Sequence, residues 1–320
     1  MSVAAPSGAE RLPCCLPRVA PAGALLGHAL HDDEGARVPD DLPPLCDAHV
    51  HVFPNRLFEA VWRWFDEFGW PIRYKLYADD VVTHLHARGV TDLVLLHYAH
   101  KPGIARAMNA FVADVAARHG VQGVATVFPG EPDQAQILED AFARGLVGVK
   151  LHCHVQGVAI DDPCLTPVWE LCAARGKPVV VHAGREPRPT GAGLASLPAD
   201  PHAICAAQRT ARVLRQFPSL KLCVPHLGAD EFDAYRDLVL AHDNLWLDST
   251  MMLAGYFQVG DPWSVLRARP DRVIYGSDFP NLPYAWDREA RVLAAARLPE
   301  RDLGRLCAGN ARALFGGAGA

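Results

Sequence analysis

The chain has 320 residues, 50% hydrophobic and 21% charged, enough to bury the core of one domain of roughly 250 residues plus an extension. A formal net charge of -5 excludes a basic stripe for nucleic acid and a lysine-rich face for an anionic membrane, which leaves small-molecule chemistry as the expectation. Nine cysteines without a CxxC pair, and no apolar run near the roughly 18 residues that span a bilayer, fit a reduced, soluble, cytoplasmic protein.

Residues 1–44 mix Ala, Gly and Pro with a charged patch at His31-Asp32-Asp33-Glu34, and read as a partly irregular N-terminal arm ending at Pro43-Pro44. Residues 45–51 then read as a strand in which Asp47, His49 and His51 share one face and Cys46 and Val50 the other. Two imidazoles two positions apart at a strand end suit a borderline-soft cation such as zinc. Residues 56–68 carry apolar side chains at helical spacing, with Trp62 and Trp64 expected to pack rather than meet substrate, and 77–88 form a second helix opened by Asp79-Asp80.

From there a strand, a turn, an amphipathic helix and a Gly or Pro break repeat to the end of the chain. The expected strands are 45–51, 91–97, 121–127, 146–152, 178–183, 220–226, 244–249 and 272–278; helices fall near 103–119, 132–144, 163–175, 202–217, 229–242, 262–268 and 284–297. Near-continuous apolar runs such as Leu93-Val94-Leu95-Leu96 and Val179-Val180-Val181 are what a helix-covered parallel sheet requires. Eight such units predict a single α/β domain over 45–320, a (β/α)8 TIM barrel with an N-terminal extension. An open doubly wound sheet is disfavoured, because no GxGxxG follows the first strand and no Walker loop appears.

Barrel chemistry sits at the carboxyl ends of the strands. Those positions hold His49 and His51, His97, Lys150 with His152, His182, His226 and Asp278, a ring of imidazoles and a carboxylate that points to a metal site. Strand parity puts His226 on the face of Leu222 and Val224, and Asp278 on the face of Gly276, whose missing side chain leaves room above it. Asn310 reads as the N-cap of a last helix, without a chemical role.

With these residues in place, the chain resembles the amidohydrolase superfamily, and within it the amidohydrolase-2 family that includes aminocarboxymuconate-semialdehyde decarboxylase-like enzymes. The resemblance covers about residues 45–316 and rests on DAHVHVFP at 47–54, GVKLHCH at 148–154, VVVHAGREP at 179–187, VPHLG at 224–228, YGSDFPN at 275–281 and GNARALF at 309–315. It implies one divalent metal, zinc by preference, held by His49, His51, His182 and Asp278. It also implies His226 as an uncoordinated acid/base or oxyanion-stabilising residue, a further or structural ligand being the alternative. Asp278 would accept the proton of a metal-bound water and pass it to the leaving group. Lys150 and His152 are expected to act together, in a structural or substrate-facing role or, in the alternative, at a second metal.

Around the mouth, Arg56, Arg73, Arg185, Tyr284 and Trp286 are candidates to meet a carboxylate or aromatic ring, and Arg185 and Arg188 lie in a Gly- and Pro-rich loop at 184–201 long enough for a lid. The expected function is metal-dependent hydrolysis of an amide, lactone or ester carbonyl. The alternative is non-oxidative decarboxylation of an aromatic or enoic acid on the same scaffold, and a non-catalytic barrel is disfavoured by the complete ligand set. The partner is a small-molecule substrate, with neither nucleic acid nor membrane, and a homo-oligomer is compatible with the chain.

Overall fold

A computed structural model of the full chain describes residues 29–257 and 259–316. The first 28 residues of the expected arm, Cys14 and Cys15 among them, lie outside the described residues. Eight parallel strands alternate with helices: β1 (Leu45–His51), β2 (Val90–Leu96), β3 (Gln122–Gly123), β4 (Val149–His152), β5 (Val179–His182), β6 (Leu222–Val224), β7 (Leu245–Asp248) and β8 (Val273–Ile274). They pair in sequence order as β1-β2-β3 and β4-β5-β6-β7-β8. A parallel bridge between Ala125 and Val149 joins the two runs. Backbone hydrogen bonds from Ala48 N–H to the Tyr275 carbonyl and from Asp278 N–H to the His49 carbonyl, both 3.0 Å, bring β8 back to β1. The ring is closed, as the TIM barrel expectation requires.

The strands are shorter than their apolar runs, most of all β3, β6 and β8. Val124, Ala125 and Val127 are fully buried beyond the two residues of β3, and Val124 and Ala125 still exchange backbone hydrogen bonds with Leu95, Gly148 and Lys150, so the run continues the ring past its regular strand. Two packed layers explain the composition. Cys46, Ala48, Val94, Leu96, Val124, Val180, Cys223 and Ile274 come from six places around the ring and touch one another, which puts them inside it, where Ala311, Leu314 and Phe315 of the last helix close the floor. Leu45, Val50, Val179, Val181, Leu222 and Val224 pack outward against the helices.

Those layers correct the expected parity. Between Asp47 and Val50, β1 advances three residues while β2 advances two, and this bulge lets Ala48 face the interior low in the barrel while His49 and His51 face the mouth. His226 does not continue the face of Leu222 and Val224, because β6 ends at Val224 and His226 takes φ 57° in the turn beyond it. Asp278, with φ 73°, likewise lies past the end of β8. The room left by Gly276 is filled rather than open: a Cβ there would lie 2.6 Å from that of His49 and 2.5 Å from Thr250 Oγ1. Asn310 is not an N-cap. Its backbone is helical, and its amide donates to the carbonyls of Pro270 (2.8 Å) and Val273 (2.7 Å) at the foot of β8.

Candidate metal centre

β1 carries two of the candidate donors. The Nε2 atoms of His49 and His51 lie 3.2 Å apart, and Asp278 Oδ1 lies 3.3 Å from the first and 3.0 Å from the second. Such lengths match the edge between ligand atoms held about 2.0–2.2 Å from one ion. Among the described residues these three form the group of His, Cys, Asp or Glu whose ligand atoms all fall within 4.8 Å of one another. His182 does not join that compact group, but its buried Nε2 has no hydrogen-bond partner and its ring sits 4.6 Å from that of His226.

Two carboxylates that do not face the cavity set this geometry. Asp248, at the end of β7, accepts from His49 Nδ1–H at 2.8 Å and from the backbone N–H of His226 at 3.0 Å. The first bond fixes the tautomer that leaves His49 Nε2 with its lone pair toward His51. Burial pushes the Asp248 carboxyl up, but the His49 imidazole holds it well below the usual carboxylate range, so it stays ionised. Asp47 accepts from the backbone N–H groups of His49 (3.1 Å) and Ser277 (3.0 Å) and from the Ser277 hydroxyl, which ties β1 to the turn carrying Asp278. Burial raises it to about 7. Sequence reading assigned no role to Asp248, although the strand-end rule applied to the seventh strand reaches it.

Burial pushes His49 down to about 4, with the Lys150 charge acting in the same direction, so its imidazole is neutral at pH 7 and free to donate a lone pair. Burial likewise lowers His226, His182 and His152. Asp278 is held below its ordinary value: burial pushes it up, and the hydrogen bond to His51 with the neighbouring imidazoles outweighs that. His226 donates Nδ1–H to the Thr250 carbonyl at 3.0 Å, which leaves its Nε2 unprotonated. His152 stacks on His182 with centroids 4.2 Å apart and planes 7° apart. Lys150 is fully buried with no partner for Nζ, and burial lowers it to about 8. His97 turns away from the mouth and donates to the Val124 carbonyl at 3.0 Å.

A cavity of about 510 Å³ opens over these groups, lined at its base by His51, His152, His154, His182, His226 and Asp278. None of the five candidate substrate contacts lines it. Arg56 is exposed; Arg73 binds the Asp32 carbonyl and Glu34; Arg185 pairs with Asp230 at 3.2 Å; Tyr284 is buried against Tyr256; and Trp286 is buried with Nε1–H on the Gly35 carbonyl. The guanidinium on the cavity wall is that of Arg188, and it is committed to Asp200 through two bonds of 2.7 Å. Of the two tryptophans expected to pack, Trp62 does so, stacked on Phe58, whereas Trp64 lines the cavity.

Against known protein families, residues 46–317 match the model described as amidohydrolase. The chain belongs to the amidohydrolase family. Over 90 residues this amidohydrolase is 30% identical to 2-amino-3-carboxymuconate-6-semialdehyde decarboxylase of Dictyostelium discoideum, a match covering 26% of this chain and 25% of that protein. Its fold resembles a dihydroxybenzoic acid decarboxylase from Polaromonas sp. JS666, solved with manganese and 2-nitroresorcinol (TM-score 0.63, 18% identity, 86% of this chain and 97% of the other). It also resembles 5-carboxyvanillate decarboxylase from Novosphingobium aromaticivorans, solved with manganese and 4-hydroxy-3-methoxy-5-nitrobenzoic acid (TM-score 0.61, 16% identity, 88% and 98%). Among the described residues of the amidohydrolase no helix is long and apolar enough to cross a membrane.

Proposed function

We propose that this amidohydrolase is a metal-dependent non-oxidative decarboxylase of an aromatic or enoic acid, the alternative rather than the first reading of the sequence. One observation carries it: His51 and Asp278, grouped with His49 as candidate donors, line a cavity walled by aromatic rings, which suits a flat acid laid between them. The names of the relatives support the same reaction, since the curated relative and both solved ones above are decarboxylases.

The donor set fits a divalent ion, with His182 the fourth donor, and the manganese in the solved relatives makes that ion as good a candidate as zinc. When bound, the metal supplies a positive charge that anchors the acid and draws electron density from its ring or ene system. The chain's own residues do the rest. In the reaction the bond to the carboxyl carbon breaks, its electron pair stays on the ring carbon, and a proton must arrive there as CO2 leaves. His226 has Nδ1–H tied to Thr250, so it would take up a proton from solvent at its free Nε2 and hand it to that carbon. Asp278, ionised beside His51, would hold the metal as its carboxylate donor and is the second group at the site able to take up a proton and return it. The stacked His152 and His182 and the ring of Tyr98 present flat walls that keep water from the reacting carbon.

The test is CO2 release from hydroxybenzoates and 2-aminoenoic acids by protein stripped with chelator and reloaded with manganese or zinc, beside a panel of lactones, esters and amides. Release of CO2 that needs metal, with deuterium from D2O placed on the carbon that lost it, is the expected result. Hydrolysis of a carbonyl panel member with no CO2 from any acid would overturn it.

A further inference from the structure

The outer half of the cavity has a chemistry of its own. Trp64, Phe65, Phe68, Trp70 and Phe257 all line it, and they form a continuous chain of rings: centroids are 5.3 Å apart for Trp64 and Phe65, 5.9 Å for Trp64 and Phe68, 4.9 Å for Phe65 and Trp70, and 5.5 Å for Trp70 and Phe257. All five are only partly buried, an unusual state for so much ring surface. Their polar handles are already used. Trp64 Nε1–H donates to Ser196 Oγ and Trp70 Nε1–H to the Asn281 carbonyl, both at 2.8 Å, while the Ser196 hydroxyl donates to the Gly193 carbonyl. Arg188 on the same wall is held by both oxygens of Asp200, and the polar exceptions are His100 and the side-chain amide of Asn281, whose oxygen has no partner. This end of the cavity therefore offers ring faces and almost no hydrogen bonds.

Cavities of roughly 300–1,000 Å³ take drug-sized ligands. At about 510 Å³ this one exceeds what a single-ring acid needs, and its polar groups gather at the base. Resting on the decarboxylase reading, we infer that the substrate acid carries an apolar extension, a second ring or a short alkyl chain remote from the carboxylate, and that these five rings are its subsite. A second charged group on that extension would find His100 and the Asn281 amide near these rings, while the one guanidinium on the described cavity wall is already paired with Asp200.

The experiment compares 2-hydroxybenzoate with its 4-butyl and 4-phenyl derivatives on manganese-loaded protein. Binding is read from tryptophan fluorescence, since Trp64 and Trp70 lie in the collar, and CO2 is measured separately. With about fourfold per buried methylene as the guide, the butyl and phenyl acids are expected to bind at least tenfold tighter than the parent. In Phe68→Ala and Phe257→Ala the ratio of tailed to parent affinity is expected to shrink at least threefold. Equal affinities for the three acids, or no binding by any of them, overturn the subsite, as would happen if a second copy or other residues of the chain cover the rings. Tail-dependent binding without CO2 keeps the subsite and removes the decarboxylase reading. CO2 release with equal affinities does the converse.

Discussion

When Asp248 accepts the Nδ1 proton of His49, it leaves the Nε2 lone pair free beside His51 and Asp278, and a neutral amide in its place cannot be relied on to select the same tautomer. Asp248→Asn is therefore expected to weaken metal binding by about 10–100-fold while the barrel stays folded, measured by competition with a chromogenic chelator alongside a thermal melt. An unchanged metal affinity would show that the carboxylate is merely buried. Gly276→Ala attacks the same ligand from the other side. Its methyl would stand 2.6 Å from His49 Cβ, so the imidazole or the Thr250 side chain must move. Loss of metal affinity with little change in secondary structure is the expected signature in circular dichroism and metal titration. His226 and Asp278 both hold positive φ, 57° and 73°. Non-glycine residues there carry about 1–3 kcal/mol of strain each, which is tolerated where the turn aims a side chain.

At the scale of elements, most of the barrel is legible in the chain. Runs such as Val179-Val180-Val181 show both strand and burial, and the helices end within a few residues of where Gly and Pro place them. The three candidate donors that the structure gathers stood out in the chain for a related reason, since His49 and His51 lie at the end of the first strand and Asp278 follows the eighth. Parity was not, because the bulge in β1 and the early ends of β6 and β8 are set by neighbouring strands rather than by local pattern. Nor were the arginines, because Arg73 and Arg185 find partners in distant segments of the chain. Two element contacts are testable. Asn310→Ala strands the carbonyls of Pro270 and Val273, and should cost about 1–3 kcal/mol in a denaturant titration. His97 links β2 to Val124, and burial pushes it down to about 3. Its folded value is depressed, so as pH falls below about 6.5 the unfolded chain takes up a proton that the folded one refuses until about 3, and stability falls through that window by up to about 1.4 kcal/mol per pH unit. His97→Gln should melt with a shallower pH slope over that range; an equal slope would exclude His97 as a source.

For the whole molecule, ligation and folding are linked. A divalent ion that binds the folded barrel and not the unfolded chain adds about 2.7 kcal/mol at a hundred times its Kd. Manganese or zinc should therefore raise the melting temperature of chelator-stripped protein, and Asp278→Asn should abolish the rise. The joint between β8 and β1 also shapes how the chain comes together, because strands from opposite ends of the sequence must meet there. Residues 32–35 tie the segments that follow β1 and β8 together: Asp32 pairs with Arg288 at 2.8 Å, Glu34 with Arg73 at 2.9 Å, and Gly35 receives the indole proton of Trp286. During synthesis, then, Glu34 meets Arg73 early, but Asp32 and Gly35 emerge without the partners that will hold them and wait until some 250 further positions have left the ribosome. A chain stalled just short of Trp286 should leave residues 32–35 open to protease, and release of the final helices should protect them.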